Sequence, residues 1–145
     1  MVGGNGWSSA ERWIEQSDTL KFLKDPANNL AFEAHVYFDK DASGTYKYSY
    51  EEEECYPEKG IDRVEWIKQN KFHGFIGEYG IPDNDPRWNE TLDLFLGYLQ
   101  ENGINGTYWA AGPWWDTYFM AITPKDGKDR PQMPIIEKYT STLKK

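Results

Sequence analysis

The feature that most narrows the fold of this chain is the order of its periodicities, which runs strand, helix, strand, helix, strand, helix. Leu30-Ala31-Phe32-Glu33-Ala34-His35-Val36-Tyr37-Phe38 alternates Phe32, Ala34, Val36 and Phe38 against Glu33, His35 and Tyr37. A period of two puts those sets on opposite faces of a strand. Gly74-Phe75-Ile76-Gly77-Glu78-Tyr79-Gly80 is a short apolar run around a carboxylate. Gly106-Thr107-Tyr108-Trp109-Ala110-Ala111 is a third strand-like run, followed by Gly112-Pro113-Trp114-Trp115. Helical patterns separate them. Ile61, Val64 and Ile67 mark one amphipathic stretch. Asp85-Pro86 reads as a helix start, Leu92, Phe95, Leu96 and Leu99 recur at helical spacing, and Asn102-Gly103 closes the element. A final helix is predicted over Ile135 to Leu143. Strands alternating with helices predict an α/β fold of parallel βαβ units.

The chain has 145 residues, which suits a single domain spanning 1–145. Its net charge of −8, from 24 acidic against 16 basic residues, argues against nucleic acid or an anionic membrane as partner. No apolar run approaches the roughly 20 residues that span a bilayer. The Met-Val-Gly-Gly-Asn-Gly start has neither the basic nor the apolar region of a signal peptide. Cys55 is the sole cysteine, so no intrachain disulfide forms and a four-thiolate zinc site is excluded. His35 and His73 are the two histidines, without ligand spacing; no metal and no cofactor is expected. The acidic run Glu51 to Glu54 reads as a solvated loop face. Aromatic residues make up 17% of the chain, with 7 Trp and 10 Tyr, more than a core of this size requires. Flat apolar faces of that kind suit sugar rings, whose C–H faces stack while their hydroxyls hydrogen-bond around the edge.

Glu78 stands near the end of an apolar strand between Gly77 and Gly80. A carboxylate there is either a catalytic group or the partner of a buried cation. His35 and Tyr37 share a strand face with Glu33, and a tyrosine hydroxyl can fix the orientation of a nearby carboxylate. The plainer alternative is a polar interior with ordinary satisfied groups. Trp109, Trp114 and Trp115 follow the third strand as a binding platform or as core.

Taken together, His35-x-Tyr37, Gly77-Glu78-Tyr79-Gly80 and Tyr108-Trp109-Ala110-Ala111-Gly112-Pro113-Trp114-Trp115 resemble the endoglucanases of glycoside hydrolase family 5. Glu33 to Asp39 followed by Asp41-Ala42-Ser43-Gly44-Thr45 is similar to the sixth-strand region of one cellulase subfamily, and Gly3-Gly4-Asn5-Gly6-Trp7 with Trp13 to its loop after the fifth strand. The similarity runs from about residue 3 to about residue 123. It implies the C-terminal half of a (β/α)8 barrel, from the end of strand five to strand eight, and a retaining, secreted β-1,4-glucanase. Under this resemblance Glu78 is the nucleophile, and His35 and Tyr37 support the catalytic centre. Trp109 stacks on the sugar at the non-reducing side of the scissile bond, and Asn5, Trp7 and Trp115 are further substrate contacts. Trp115-Asp116-Thr117-Tyr118 departs from the glycine and aspartate that the subfamily commonly has there.

A retaining glycosidase needs a second carboxyl about 5–5.5 Å from the nucleophile. The family carries it in an Asn-Glu-Pro motif at the end of the fourth strand, and no Asn-Glu-Pro occurs here. Glu33 is the nearest substitute in the chain, but the resemblance sets it deeper in the barrel. The expected partners are therefore a β-glucan or cello-oligosaccharide, and a complementary N-terminal half or second copy that closes the barrel. A carbohydrate-binding domain that keeps the aromatic platform alone is the alternative.

Overall fold

The computed structural model describes residues 1–53, 58 and 61–140. Cys55, the Glu54 end of the acidic run and residues 141–143 of the predicted last helix lie outside the described residues. Among the described residues, β1 (Val2–Gly3), β2 (Ala31–Tyr37), β3 (His73–Gly80) and β4 (Asn105–Tyr108) form one sheet in the order β1-β2-β3-β4. Every pairing is parallel. Helices α1 (Trp13–Ser17), α2 (Ile61–Asn70) and α3 (Arg87–Glu101) occupy the three crossovers in turn, and α4 (Met133–Tyr139) follows β4. A parallel sheet whose spatial order equals its chain order is a run of consecutive βα units.

The alternation in β2 sorts the molecule into two sides. Phe32, Ala34 and Val36 are buried, as is Phe38 just past the strand. They join Ile76 and Tyr79 of β3 in a core closed by Val64, Trp66 and Ile67 of α2 and by Leu92, Phe95, Leu96 and Leu99 of α3. Phe38 meets Phe95 edge-on at 5.2 Å, and Trp66 meets Phe32 edge-on at 5.3 Å. Glu33, His35 and Tyr37 project from the opposite side of the strand.

The helix signals work through identifiable atoms. The Arg87 amide donates to Asp85 Oδ1 at 2.9 Å, which caps α3 one residue ahead of Pro86. At the far end Gly103 takes φ +64, the left-handed position that ends a helix. In α2 the fully buried Arg63 lies 4.4 Å above the Trp13 ring and donates to the Phe32 carbonyl. Burial lowers its pKa to about 9, against the opposing pull of the Glu33 charge.

Two boundaries differ from expectation. The third predicted strand ends at Tyr108, not Ala111, because the backbone beyond it pairs with its own returning loop. Ile122 N donates to the Ala110 carbonyl at 3.0 Å, and Gly112 N donates to Thr123 Oγ1 at 2.9 Å. The last helix starts earlier, at Met133, with Pro134 in its first turn.

Candidate active site

Glu78 owes its direction to a break in the sheet register. Ala34 pairs with Ile76, but His35 pairs with Glu78, so β3 carries one residue more than β2 at this point. The register against β4 shifts in the same interval, between Ile76 and Tyr79. This is a β-bulge, which re-aims side chains by letting neighbouring residues face the same way. A side chain at Gly77 would collide with the carboxylate of Glu33, and Glu78 meets His35 and Tyr37. Gly77 and Glu78 therefore both face inward. Gly80 serves a second close approach, since a Cβ there would lie 2.5 Å from the Trp109 carbonyl oxygen. The Gly-Glu-Tyr-Gly motif is thus a carboxylate between two positions that admit no side chain.

The Tyr37 hydroxyl donates to Glu78 Oε2 at 2.7 Å. Burial, and then this bond to a carboxylate, push the Tyr37 pKa far above that of a free phenol, so it remains a neutral donor. His35 Nδ1 lies 3.4 Å from the same Glu78 oxygen, and His35 Nε2 lies 2.6 Å from Glu33 Oε1. The side chains of Glu33, His35 and Glu78 are 18%, 24% and 26% exposed, so they are screened from bulk water without being sealed from a ligand.

The strand tips are tied together. Tyr46 Oη donates to the Gly80 carbonyl at 2.6 Å and accepts from Phe38 N at 3.1 Å, which links the ends of β2 and β3. Its loop turns around Asp39, whose carboxylate accepts the amides of Gly44, Thr45 and Tyr46 at 3.0, 3.0 and 3.2 Å. That turn lays Gly44 against the Tyr37 ring.

Above these residues opens a cleft of about 450 Å³, whose wall includes Trp7, Ser9, His35, Tyr37, Glu78, Trp109 and Tyr118. Glu78 is the one carboxylate on that wall among the described residues. Trp109 is anchored by its amide, which donates to the Tyr79 carbonyl at 2.8 Å, and Trp115 braces it edge-on at 5.0 Å. Trp7 stands at the rim, 89% exposed, on a turn where Trp7 and Ser8 take φ of 56 and 55. Positive φ at two successive non-glycine residues is unusual and displays the indole outward.

The fold thus brings Glu78, His35, Tyr37, Trp109 and Trp7 together. It leaves Asn5 and Trp115 off the cleft wall. Asn5 Nδ2 donates to the Gln16 carbonyl at 2.8 Å, which ties its side chain to α1, and Trp115 stands against Trp109. Glu33 also lies off the wall, held by His35. Sequence reading missed Tyr118 and Ser9. Tyr118 rises with the tryptophan loop, packs on Trp115 at 5.0 Å, and has its pKa raised chiefly by burial. The Ser9 hydroxyl is buried and has no hydrogen-bond partner among the described residues. No motif flags either position.

A carboxylate at the C-terminal tip of a parallel strand, beneath an aromatic cleft, stands where consecutive βα units carry their functional groups. Residues 1–114 match Cellulase (glycosyl hydrolase family 5), and the chain belongs to that family. It is 36% identical to Endo-beta-1,4-glucanase B of Aspergillus niger over 148 residues, covering 96% of this chain and 43% of that protein. Among solved structures it superposes on Pseudomonas stutzeri endoglucanase Cel5A in complex with cellobiose with a TM-score of 0.86. That match is 41% identical and covers 97% of this chain and 43% of the other. It also superposes on XacCel5A in complex with cellopentaose, with a TM-score of 0.83 and 39% identity over 96% of this chain and 47% of that one. The sheet is therefore half of a (β/α)8 barrel, and the chain spans less than half the length of the relatives it matches.

Proposed function

We propose that this chain, folded as one domain, is the nucleophile-bearing half of a retaining endo-β-1,4-glucanase. The observation that carries the reading is the 2.7 Å bond from Tyr37 to Glu78 Oε2 at the foot of the aromatic cleft. A buried, neutral phenol that donates to one carboxylate oxygen orients the group and leaves Oε1 as the atom assigned to attack.

In the first step Glu78 Oε1 bonds to the anomeric carbon as the glycosidic C–O bond breaks, and the departing oxygen takes a proton from a second carboxylic acid. In the second step that residue, now a base, removes a proton from water, and the water oxygen displaces Glu78. Among the described residues the cleft wall offers no second carboxylate, so the acid/base comes from the barrel units that this chain does not span. Those units belong to a complementary N-terminal half; a second copy of this chain would close the ring but repeats a wall on which Glu78 is the one carboxylate among the described residues. The substrate is a β-1,4-glucan or cello-oligosaccharide, in keeping with the cellobiose and cellopentaose bound to the matched structures. Trp109 and Tyr118 offer stacking faces for its sugar rings. The expected site of action is outside the cell, where polymeric glucan is met.

The test measures reducing ends released from carboxymethylcellulose by the chain alone, by a complementary N-terminal half alone, and by the two mixed. Activity is expected in the mixture, with Glu78→Gln lowering it by at least about 10³-fold. Activity that survives Glu78→Gln refutes the assignment. The single carboxylate on the wall favours a second reading, a domain that binds sugar without cleaving it. That reading predicts cello-oligosaccharide binding that Trp109→Ala weakens, with no hydrolysis by the mixture.

A further inference from the structure

The aromatic wall of the cleft stands partly on a loop with little burial of its own. Among the described residues, none from Ala111 to Phe119 is buried, and Trp114 is 94% exposed. This stretch nonetheless carries Tyr118, which lines the cleft, and Trp115, which braces Trp109. Apolar packing supplies little to fix where these rings stand, so the loop depends on hydrogen bonds. Its two ends meet where Gly112 N donates to Thr123 Oγ1 at 2.9 Å.

Arg130 holds the rest. Its Nη1 donates to Asp83 Oδ2 at 2.6 Å, Nη2 to the Asp116 carbonyl at 2.9 Å and Nε to the Thr123 carbonyl at 3.3 Å. One side chain thus grips the loop beside Trp115 and again at its returning end, and fastens both to the segment just past β3. The Phe119 carbonyl adds a further tie to that segment by accepting from Asp83 N at 3.1 Å. The root of Arg130 is fixed as well. The neighbouring Pro131 carbonyl accepts from Asn89 Nδ2 of α3 at 3.2 Å, and the buried Gln132 donates from Nε2 to the Ile81 carbonyl at 3.2 Å. A planar guanidinium on a fixed stem sets the positions of several acceptors at once, which a lysine ammonium does not. The grip on Asp116 and Thr123 is through their carbonyls, so it sets the path of the chain whatever side chain stands at 116.

We propose that Arg130 is a positioning residue for the substrate: by strapping the loop 112–123 to Asp83 it holds Tyr118 on the cleft wall and Trp115 behind Trp109, and so sets the faces on which sugar rings stack. The stacking part rests on the reading of the cleft as a glucan site.

Two readouts test the strap, and one of them needs no sugar. The first is the fluorine spectrum of the chain labelled with 5-fluorotryptophan, in which single phenylalanine replacements assign the signals of its 7 tryptophans. In Arg130→Ala the Trp109 and Trp115 signals are expected to shift or broaden, while those of Trp13 and Trp66 in the packed core stay in place. The second is KM against kcat for cellopentaose in the mixture with the complementary half. Stacking that is equal in ground and transition states appears in KM, so Arg130→Ala should raise KM about 5- to 30-fold with kcat within about threefold of wild type. Arg130→Lys keeps the charge opposite Asp83 and loses the fork, and should fall between the two. Unmoved Trp109 and Trp115 signals in Arg130→Ala overturn the proposal, as does a wild-type KM where Trp109→Ala raises it. Equal movement of the Trp13 and Trp66 signals overturns it too, because that is a general loosening of the fold. If Arg130→Ala does not fold, a folded Arg130→Lys with wild-type Trp109 and Trp115 signals overturns it equally. Failure of the glucan reading is recognised separately, by no hydrolysis in the wild-type mixture or by a KM that Trp109→Ala leaves unchanged; the fluorine spectrum then still decides the strap.

Discussion

The two faces of the sheet obey different rules. The outward face is close-packed and dry: Phe32, Ala34, Phe38, Ile76 and Leu92 are all completely buried. The inward face carries Glu33, His35, Tyr37 and Glu78, all polar and most of them half-buried. On the first face energy scales with apolar area removed from water and with the absence of voids. On the second, a few hydrogen bonds decide where one carboxylate points, and each contributes little to holding the chain together. One strand serves both because its side chains alternate. The bulge at Gly77 is where that alternation is broken to seat a functional group. The half barrel therefore keeps its packing core on the helix side of the sheet, while its inner face holds the polar groups.

That contrast can be broken from either side. The largest effect is expected on the packed face. Phe95→Ala empties the contact with Phe38 at 5.2 Å and Tyr79 at 5.9 Å and should cost about 3–5 kcal/mol of stability in denaturant unfolding. The remaining folded fraction should keep its cleft chemistry; loss of activity beyond the loss of folded protein would blur the division. Next comes Tyr37→Phe on the inner face, which removes one hydrogen bond to a charged group while keeping the ring against Gly44. In the complemented enzyme it should raise the barrier by about 1.5–3 kcal/mol, roughly 10- to 150-fold in kcat, with an unfolding midpoint close to wild type.

A separate test is a pH dependence shared by both faces. Burial raises the phenols of Tyr37, Tyr79 and Tyr108 in the folded chain. Between about pH 10 and those raised values the unfolded chain has given up protons that the folded chain retains. The stability gained from keeping them neutral is whole below about pH 10 and is lost as pH rises beyond it. Urea unfolding at about pH 8 and about pH 11 should show the decline, with late tyrosinate absorbance appearing only as the protein unfolds.

Much of the outward face was legible in the sequence, because burial imposes a period. The Phe32, Ala34, Val36 alternation and the Leu92, Phe95, Leu96, Leu99 spacing each correspond to the buried side of their element. The inner face was legible in residue types and opaque in geometry. That His35 and Tyr37 share a face followed from their spacing. That Glu78 reaches both depends on a one-residue bulge, whose sole local sign was a glycine inside a strand. Glu33 read as an interior carboxylate, and nothing in the sequence pairs it with His35 Nε2. Tyr118 and Ser9 reach the cleft through irregular loops, where no period constrains the side chain. β4 ends before the apolar run does, because the backbone past Tyr108 turns so that Ala110 and Gly112 bond with residues 122 and 123.

The assignment of Glu78 as nucleophile can be tested with this chain by itself. A 2-deoxy-2-fluoro-β-cellobioside with a dinitrophenolate leaving group needs no proton from an acid/base residue, so attack depends on the nucleophile and its surroundings. After incubation the chain is digested and its peptides are weighed. One cellobiosyl-type adduct is expected, on the peptide and at the side chain of Glu78, absent in Glu78→Gln. An adduct on Glu33 or any other residue, or no adduct at all, would contradict it.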